Sequence, residues 1–266
     1  MNFDYIVVGA GSAGCVLAAR LTEDPSVQVA LLEAGPPDTS PLIHCPAGLA
    51  LLAQTRQANW RFDTVPQPGL NGRQIVWPRG RVLGGSSSMN GMIWTRGAHS
   101  DYDRWAQTGL TNWSFEKCLP YFKALENYER GADEFRGDSG PLRVGRQESQ
   151  HPLFDAFIEA GQQTGLPFNP DFNGEHQAGL GYYQLTQLNA RRSSTSIAFL
   201  KPVRNRANLS VMLHTMATRV IVESGRVTGV EVVQGSNKVT SVLRADREVI
   251  VSSGAMGSPK LLMQSG

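Results

Sequence analysis

The chain has 266 residues, enough for one large α/β domain or for one and a half smaller ones. Hydrophobic residues make up 41% and charged residues 18%, as in ordinary globular proteins with a sizeable core. The formal net charge of +2 argues against a nucleic-acid-binding surface, and the three widely separated cysteines exclude a disulfide framework and a CxxC metal knuckle.

The cysteine usage and the N-terminal residues also bear on location. Few, distant cysteines suit a reducing cytosol. The chain opens Met1-Asn2-Phe3-Asp4 without a basic segment, so no signal peptide is expected. No apolar run reaches the roughly 20 residues that a transmembrane helix needs. We therefore expect a cytoplasmic protein, with the inner face of the cell membrane as an alternative location.

The first 35 residues have the pattern of a βαβ unit. Residues 5–8 and 27–32 are continuous apolar runs typical of parallel strands buried on both faces. Small and apolar residues at helical spacing predict a helix over Ser12–Leu21 between them. The segment therefore predicts the start of a doubly wound parallel sheet with residues 5–8 at its centre.

The turn after the first strand carries a GxGxxG motif, Gly9-Ala10-Gly11-Ser12-Ala13-Gly14. Glycines here permit a tight turn, close approach of a pyrophosphate and close helix–strand packing, while the helix N-terminus attracts the phosphates. Glu33 ends the second strand, where a carboxylate can accept hydrogen bonds from a ribose diol. This arrangement predicts dinucleotide binding; the alternative is a glycine turn that serves only packing.

Residues 36–78 are rich in Pro, Gly and Asn and are expected to form a long irregular excursion. Within it, residues 47–52 are apolar. Burial under a lid or in a subunit contact is favoured for these residues over membrane attachment, which stays open as a possibility of peripheral association.

A second glycine cluster follows, Gly80-Arg81-Val82-Leu83-Gly84-Gly85-Ser86-Ser87-Ser88-Met89-Asn90-Gly91-Met92. Backbone amides and hydroxyls at this density suit the diphosphate and isoalloxazine of a flavin better than a nicotinamide cofactor. A flexible Ser/Gly linker is the alternative, but Trp77 and Trp94 flank the cluster.

The middle of the chain predicts two helices that are separated by a loop at 131–140, and a second loop follows at 168–181. Ser114 is the expected N-cap of the first, with Cys118, Tyr121, Phe122 and Leu125 on its apolar side. The second is expected from His151 to Gly161. The aromatic side chains Trp113, Phe154 and Phe157 are expected in the core rather than in a substrate cage.

The last third is rich in β-prone runs. Strands are predicted over residues 209–214, 219–223, 227–233, 239–243 and 248–252. A helix follows, with Pro259 expected at its first position.

Two longer patterns identify a family. The first comprises Gly84-Gly85-Ser86-Ser87, Asn90, Trp94, Gly97 and Asp103, and the second comprises Gly254-Ala255, Ser258-Pro259, Leu261-Leu262 and Ser265-Gly266. Together with the GxGxxG turn they resemble the two signatures of the glucose–methanol–choline (GMC) flavoprotein oxidoreductases, and the resemblance covers essentially the whole chain. Choline dehydrogenase-like alcohol dehydrogenases, among them bacterial aliphatic-alcohol enzymes that feed a quinone, are most similar.

The resemblance implies a set of FAD contacts. These are Gly9, Gly11, Ser12, Ala13, Gly14, Glu33, Ala34, Val82, Gly84, Gly85, Ser86, Asn90, Gly91, Met92, Ile93 and, through its backbone to adenine, Val220. Some members tether FAD through a histidine at the position of Met89. Because a thioether cannot form this link, non-covalent FAD is expected. No metal is predicted.

The resemblance also implies the fold and the division of the chain. We expect a Rossmann-like FAD-binding domain over residues 1–150, the first part of an interleaved, incomplete α+β substrate domain over 151–207, and a return to the FAD domain over 208–266. The catalytic histidine and its His or Asn partner are expected beyond Gly266, because none of His44, His99, His151, His176 and His214 matches a catalytic motif.

The implied activity is oxidation of a primary alcohol to an aldehyde by hydride transfer to flavin N5, with electrons passed to a quinone or to oxygen. Four alternatives stay open: a GMC oxidase, a nicotinamide-dependent dehydrogenase, a non-redox GMC relative such as a hydroxynitrile lyase, and an inert fragment or half of a split protein. The particular alcohol and the oligomeric state do not follow from the sequence.

Overall fold

A computed structural model describes residues 2–147 and 151–266. The described helices are α1 Ser12–Leu21, α2 Pro41–His44, α3 Leu49–Gln54, α4 His99–Gln107, α5 Phe115–Leu125, α6 Pro152–Gln163 and α7 Gly254–Ser265. The described strands are β1 Asn2–Val8, β2 Val29–Leu32, β3 Phe62–Asp63, β4 Val76–Trp77, β5 Ile93–Trp94, β6 Glu126–Tyr128, β7 Leu142–Val144, β8 Gln184–Leu185, β9 Gln187–Leu188, β10 Arg191–Arg192, β11 Leu209–Met212, β12 Thr215–Glu223, β13 Arg226–Gln234 and β14 Val239–Val251. Short 3₁₀ turns and one π-helical turn, Ser196–Leu200, complete the regular structure of these residues.

The chain divides into two compact units. The first comprises Met1–Gly91 and Ser194–Gly266, and the second comprises Met92–Ser193. These limits differ from the expected domain boundaries at 150/151 and 207/208, the first of which falls at the undescribed residues 148–150. The difference arises because residues 92–147 bond to residues 151–193 within one unit: Trp94 pairs with Gln184 across β5 and β8, and Arg136 binds Asp171.

The first unit is built on a six-stranded sheet of order β11-β2-β1-β14-β13-β12. The strand β1 pairs in parallel with both β2 and β14, and β11 pairs in parallel with β2. The predicted parallel sheet with residues 5–8 at its centre is therefore confirmed. The observed β1 begins three residues earlier than predicted, and β2 begins at Val29 rather than at residue 27.

Both faces of β1 are covered. Ile6 and Val8 pack into one apolar cluster with Ala30 and Leu32 of β2. Val7 packs into a second cluster on the opposite face, with Cys15 of α1 and other apolar side chains. Burial on both faces explains why these strands are continuously apolar rather than alternating.

The C-terminal strands correct the sequence reading in one respect. The runs predicted at 239–243 and 248–252 form a single strand, β14, that pairs antiparallel with β13 up to Arg244 and parallel with β1 from there on. The charged residues 246–248 stay in the strand because a bulge in its pairing with β1 accommodates them and Arg247 binds Asp4 at 2.9 Å. The sheet is therefore mixed, with a parallel part and an antiparallel extension.

The excursion over residues 36–78 contains short elements rather than none. It forms α2, α3 and the β3–β4 pair. In the apolar stretch at 47–52, Leu52 is buried in a cluster with Ile43, Val82 and Met89, whereas Leu51 is 54% exposed. The favoured burial is thus met within the chain for Leu52, and a subunit contact stays a prediction for the exposed Leu51.

The second unit holds α4 to α6 and the short pairs formed by β5 to β10. Ser114 caps α5 as predicted, its Oγ accepting from the Lys117 N–H at 3.4 Å. On α5, Tyr121 is exposed, contrary to the expected apolar side.

Three aromatic side chains that were expected in the core are not there. Trp113, Phe154 and Phe157 are all exposed, and α6 has no buried residue among its described positions. The helical spacing of these apolar residues located α6 correctly, but spacing alone does not provide a surface for them to pack against.

The final helix also departs from expectation. It begins at Gly254, so Pro259 lies inside α7 rather than at its first position. Among the residues described, no helix is long and apolar enough to cross a membrane.

Candidate dinucleotide site

The first glycine turn lies at the carboxyl end of β1, where ligands of open parallel sheets bind. The N–H of Gly9 donates to the Leu32 carbonyl at 2.9 Å, and the first helical bond of α1 runs from Cys15 N to Gly11 O at 3.0 Å. The backbone N–H groups of the residues before Cys15 are therefore not hydrogen-bonded inside the helix, and they lie at the positive end of its dipole. Ser12 and Ala13 are exposed at this N-terminus.

Two glycines of this turn have different surroundings. A Cβ at Gly14 would overlap the Gly9 carbonyl, which is the close helix–strand packing that the motif predicts. A Cβ at Gly11 would have no neighbour closer than the Gly85 Cα, 4.0 Å away. The protein itself does not require glycine at position 11, so the space in front of Gly11 is available to a ligand.

Glu33 lies where β2 ends, beside the first glycine turn. It is buried, and its two carboxylate oxygens accept from the N–H groups of Ala10, at 3.2 Å, and Gly35, at 2.8 Å. Burial raises the pKa of Glu33 to about 7, although these two N–H groups and the charge of Arg81 act in the opposite direction. The side chain that was expected to bind a ribose diol therefore also connects the ends of β1 and β2.

The second glycine cluster packs directly on the first. The N–H of Gly84 donates to the Ala10 carbonyl at 2.8 Å. Gly85 has φ +54°, and a Cβ there would approach the Gly11 Cα to 2.6 Å. Two glycine turns separated by about seventy residues of sequence thus form one surface at the end of β1.

Serines stabilise this second turn. Ser88 Oγ donates to the Leu83 carbonyl at 2.7 Å, and the Gly80 N–H donates to Ser86 Oγ at 3.1 Å. Val82 is fully buried in the adjoining apolar cluster, so it supports the turn from behind.

Two residues that sequence reasoning missed, directly after β14, complete the first glycine turn. Ser252 Oγ donates towards the carbonyls of Val8 and Gly9, at 3.1 and 2.9 Å, and Ser253 Oγ donates to Val8 at 3.0 Å. A Cβ at Gly9 would meet the Ser252 carbonyl at 2.8 Å. Their position directly before the Gly254-Ala255 pattern was the available signal.

Other predicted contacts are placed as follows. The Val220 N–H donates to Ser265 Oγ at 2.8 Å, so a contact of this N–H with adenine requires that bond to be exchanged. Ala34 is half-buried next to Glu33, and Asn90 and Gly91 are exposed at the end of the second cluster. Met92 and Ile93 belong to the second compact unit, where Met92 is buried and Ile93 is 52% exposed.

The five histidines differ in their contacts and in their exposure. His99 stacks on Phe115 with ring centroids 3.5 Å apart, and His151 Nδ1 accepts from the Leu153 N–H at 3.2 Å, capping α6. His176 and His214 are exposed, and His44 is half-buried in α2. Within the described part of the chain, no group of three or more His, Cys, Asp or Glu residues could hold a metal ion.

The residues present fit a dinucleotide. Open space at Gly11, an uncapped helix N-terminus and a buried carboxylate lie at the ends of two adjacent parallel strands. The open space and the helix N-terminus suit a pyrophosphate, and the carboxylate suits a ribose diol.

Comparison with known proteins gives the family. The GMC oxidoreductase family matches residues 3–266. Mitochondrial choline dehydrogenase from Mus musculus is 46% identical over 272 residues, covering 100% of this chain and 45% of that protein. Alcohol dehydrogenase (acceptor) from Pseudomonas putida is 47% identical over 266 residues, covering 99% of this chain and 48% of that protein. Pyridoxine 4-oxidase from Mesorbium loti has a solved structure with a TM-score of 0.94 and 38% identity, covering 100% of this chain and 52% of that one.

The chain therefore spans about half the length of the curated relatives that it matches. The expected family resemblance, the Rossmann-like fold and the flavin cofactor are confirmed by these matches together with the parallel sheet. This chain belongs to the GMC oxidoreductase family, and its cofactor is FAD.

Proposed function

We propose that this chain is the FAD-binding N-terminal part of an oxidoreductase that converts a primary alcohol to an aldehyde. The observation that carries the proposal is the meeting of the two glycine turns, Gly84 N with Ala10 O, at the carboxyl end of β1. Similarity to a choline dehydrogenase and to an alcohol dehydrogenase supports the alcohol as substrate.

Each part of the site has a role in this proposal. The α1 N-terminus and the open space at Gly11 hold the pyrophosphate. Glu33 accepts from the adenosine ribose, and Val82 and the segment 90–93 line the flavin. Val220 contacts the adenine through its backbone. When bound, FAD supplies the acceptor for the hydride that leaves the alcohol carbon.

FAD is held non-covalently in this proposal. Met89, at the position where some relatives have a tethering histidine, is 4% exposed and packs with Leu52 and Val82. Its thioether cannot form the covalent bond. Acid precipitation of the holoprotein is expected to leave all of the yellow flavin in the supernatant, whereas a yellow pellet would contradict this assignment.

The group that removes the alcohol proton is proposed to lie outside residues 1–266. Support comes from the surroundings of the five histidines: His99 is stacked on Phe115, His151 caps a helix, His44 is half-buried in α2, and His176 and His214 are exposed. The contact of His176 Nε2 with Glu175, at 3.9 Å, joins two largely exposed side chains and does not hold the imidazole in place as a general base requires.

The electron acceptor is proposed to be a quinone. Similarity to an alcohol dehydrogenase whose name specifies an acceptor favours this, and similarity to an oxidase keeps oxygen as the second candidate.

We also propose a cytoplasmic location for the protein. Attachment at the inner face of the membrane would then involve the exposed Leu51 beside the buried Leu52.

The test uses the full-length protein under anaerobic conditions. Addition of a primary alcohol should bleach the flavin absorbance, and a soluble quinone should restore it faster than dissolved oxygen does. Rapid restoration by oxygen alone would identify an oxidase. Retention of full absorbance with every alcohol offered would favour a non-redox relative and contradict the proposal.

A further inference from the structure

A hydroxyl pair in the first unit connects two distant segments of the chain. Ser87 Oγ donates to the Gly84 carbonyl at 2.6 Å. The same oxygen accepts from the Thr195 N–H at 3.0 Å and lies 2.9 Å from Thr195 Oγ1. Because the single Ser87 proton is used on Gly84, Thr195 Oγ1 is the donor in the second contact. One donor and two acceptor positions of the Ser87 hydroxyl are thus all used.

Thr195 lies in a buried segment that is unusually rich in hydroxyls. Ser193, Ser194, Thr195 and Ser196 are consecutive, and each is less than a tenth exposed. Buried hydroxyls cost free energy unless they are hydrogen-bonded, so their positions are informative. The Thr195 hydroxyl is used to hold the second glycine turn rather than to cap a helix.

A buried thiol extends this pair to the first glycine turn. Cys15, in α1, is fully buried and its Sγ donates to the Ala10 carbonyl at 3.3 Å. Burial raises the pKa of Cys15 to about 12. The thiol therefore stays protonated at neutral pH and remains a donor.

The contacts converge on one carbonyl and one turn. The Ala10 carbonyl accepts from Cys15 Sγ and from the Gly84 N–H, and the Gly84 carbonyl accepts from Ser87 Oγ. Thr195 contacts Ser87 through its N–H and its Oγ1. Three segments, at residues 10–15, 84–87 and 195, are thereby joined by polar contacts.

The position of this network along the chain is also informative. Ser87 and Thr195 are 108 residues apart in sequence, and the second compact unit lies between them. The chain leaves the first unit after Gly91 and returns at Ser194. The pair therefore joins the outgoing and the returning segments beside the glycine turns.

We propose that Ser87, Thr195 and Cys15 form a positioning network that holds the two glycine turns in the arrangement required to bind FAD. None of the three needs to touch FAD in this account; they act through Gly84 and Ala10. The inference rests on the proposed assignment of these turns to FAD.

The experiment removes the hydroxyl contacts one at a time in the full-length protein. Thr195→Val keeps the side-chain volume and the N–H but removes the Oγ1 donor, whereas Thr195→Ser keeps it. Ser87→Ala removes all three contacts of that hydroxyl. Thr228→Val, in β13, is the matched control, because its hydroxyl bonds to Glu223 and Arg244 on the partly exposed side of the sheet.

The readouts are the dissociation constant for FAD added to the apoprotein, the visible spectrum of the bound flavin and the melting temperature of the apoprotein. We expect Thr195→Val and Ser87→Ala to weaken FAD binding by about tenfold or more and to shift the flavin bands. Thr195→Ser and Thr228→Val should bind within about twofold of the parent protein. Rescue by serine separates a positioning hydroxyl from a role in packing alone.

Two outcomes overturn the inference. One is unchanged FAD affinity in both Thr195→Val and Ser87→Ala, with any effect confined to the melting temperature. The other is equal loss of affinity in Thr195→Val and Thr195→Ser, which would assign the effect to the methyl group. If Thr195→Val does not fold, Ser87→Ala and Thr195→Ser decide by the same criteria.

The parallel variant Gly11→Val distinguishes this failure from failure of the site assignment. Loss of FAD in Gly11→Val, with normal binding in the network variants, would overturn the network alone. Normal binding in Gly11→Val would overturn the assignment of the glycine turns to FAD.

Discussion

Glu33 is the residue whose environment has the clearest consequence for pH dependence. Its carboxylate accepts from Ala10 and Gly35, yet burial is the largest influence and raises the pKa from 4.5 to about 7. Between these pH values the folded apoprotein binds a proton that the unfolded chain has released. The free energy of unfolding therefore falls as the pH rises through this range.

We expect the apoprotein to lose about 3 kcal/mol of stability between about pH 4.5 and 7 from this group. Glu33→Gln should remove that loss, while Glu23→Gln, an exposed carboxylate paired with Arg20, should leave it in place. Urea unfolding at several pH values measures the slope. An unchanged slope in Glu33→Gln would show that another group titrates.

The sequence predicted the role of a residue best where its residue type has a single structural role, as with glycine in a close contact. Gly14 was predicted to allow close helix–strand packing, and a Cβ there would overlap the Gly9 carbonyl. Thr195 and Ser252 were not found, because a hydroxyl in a loop has no periodicity and many possible partners. Only the folded chain shows that Thr195 meets Ser87, 108 residues away.

At the scale of elements, a buried ion cluster organises the second unit. Glu126 begins β6 and is fully buried, accepting from Arg96 at 2.6 Å, from Arg136 at 3.0 Å and from Trp94 Nε1 at 2.7 Å. Arg136, itself fully buried, also binds Asp171. Removing one charge from such a cluster leaves its partners without compensation.

Glu126→Gln is therefore expected to destabilise the protein by about 3–5 kcal/mol. Glu223→Gln, which breaks a half-exposed pair with Arg244, should cost less than about 1 kcal/mol. Thermal unfolding of both variants measures the contrast. Equal melting temperatures for the two would contradict the structural role given to Glu126.

The sequence located helices and strands best where both faces of a strand are buried or where one side of a helix is apolar. The helix α1 was located to the residue, and β1 and β2 within three residues, because Gly11 precedes the helix, Asp24-Pro25 follows it and both strand faces are buried. The strand β14 was divided in two because charged residues interrupt its apolar pattern. In the structure, a bulge against β1 and the Arg247–Asp4 pair keep that segment extended.

At the scale of the whole molecule, the exposed apolar face of α6 is the feature to explain. Leu153 and Phe157 are 70% and 67% exposed, and Phe154 lies on the same helix with nearly half of its surface accessible. Contiguous apolar surface of this kind marks an interface. We expect residues 1–266, expressed alone, to bind a hydrophobic dye strongly and to associate.

Phe157→Ser should reduce both the binding of the hydrophobic dye and the association of the isolated chain, while Phe168→Ser, outside α6, serves as a matched exposed control.

The isolated chain should also show no alcohol-dependent reduction of a redox dye. Turnover by it would mean that one of His44, His99, His151, His176 and His214 acts as the base.

FAD titration of the full-length apoprotein carrying Gly11→Val tests whether the first glycine turn holds the pyrophosphate of FAD. A Cβ at Gly11 meets no protein atom within 4.0 Å other than Gly85 Cα, so the fold should persist, but the side chain would occupy the proposed path of the pyrophosphate. Gly69→Val, at a position with equally open surroundings, is the control. We expect a folded Gly11→Val protein without bound flavin and normal binding in Gly69→Val; full flavin occupancy in Gly11→Val would show that the first glycine turn does not hold FAD.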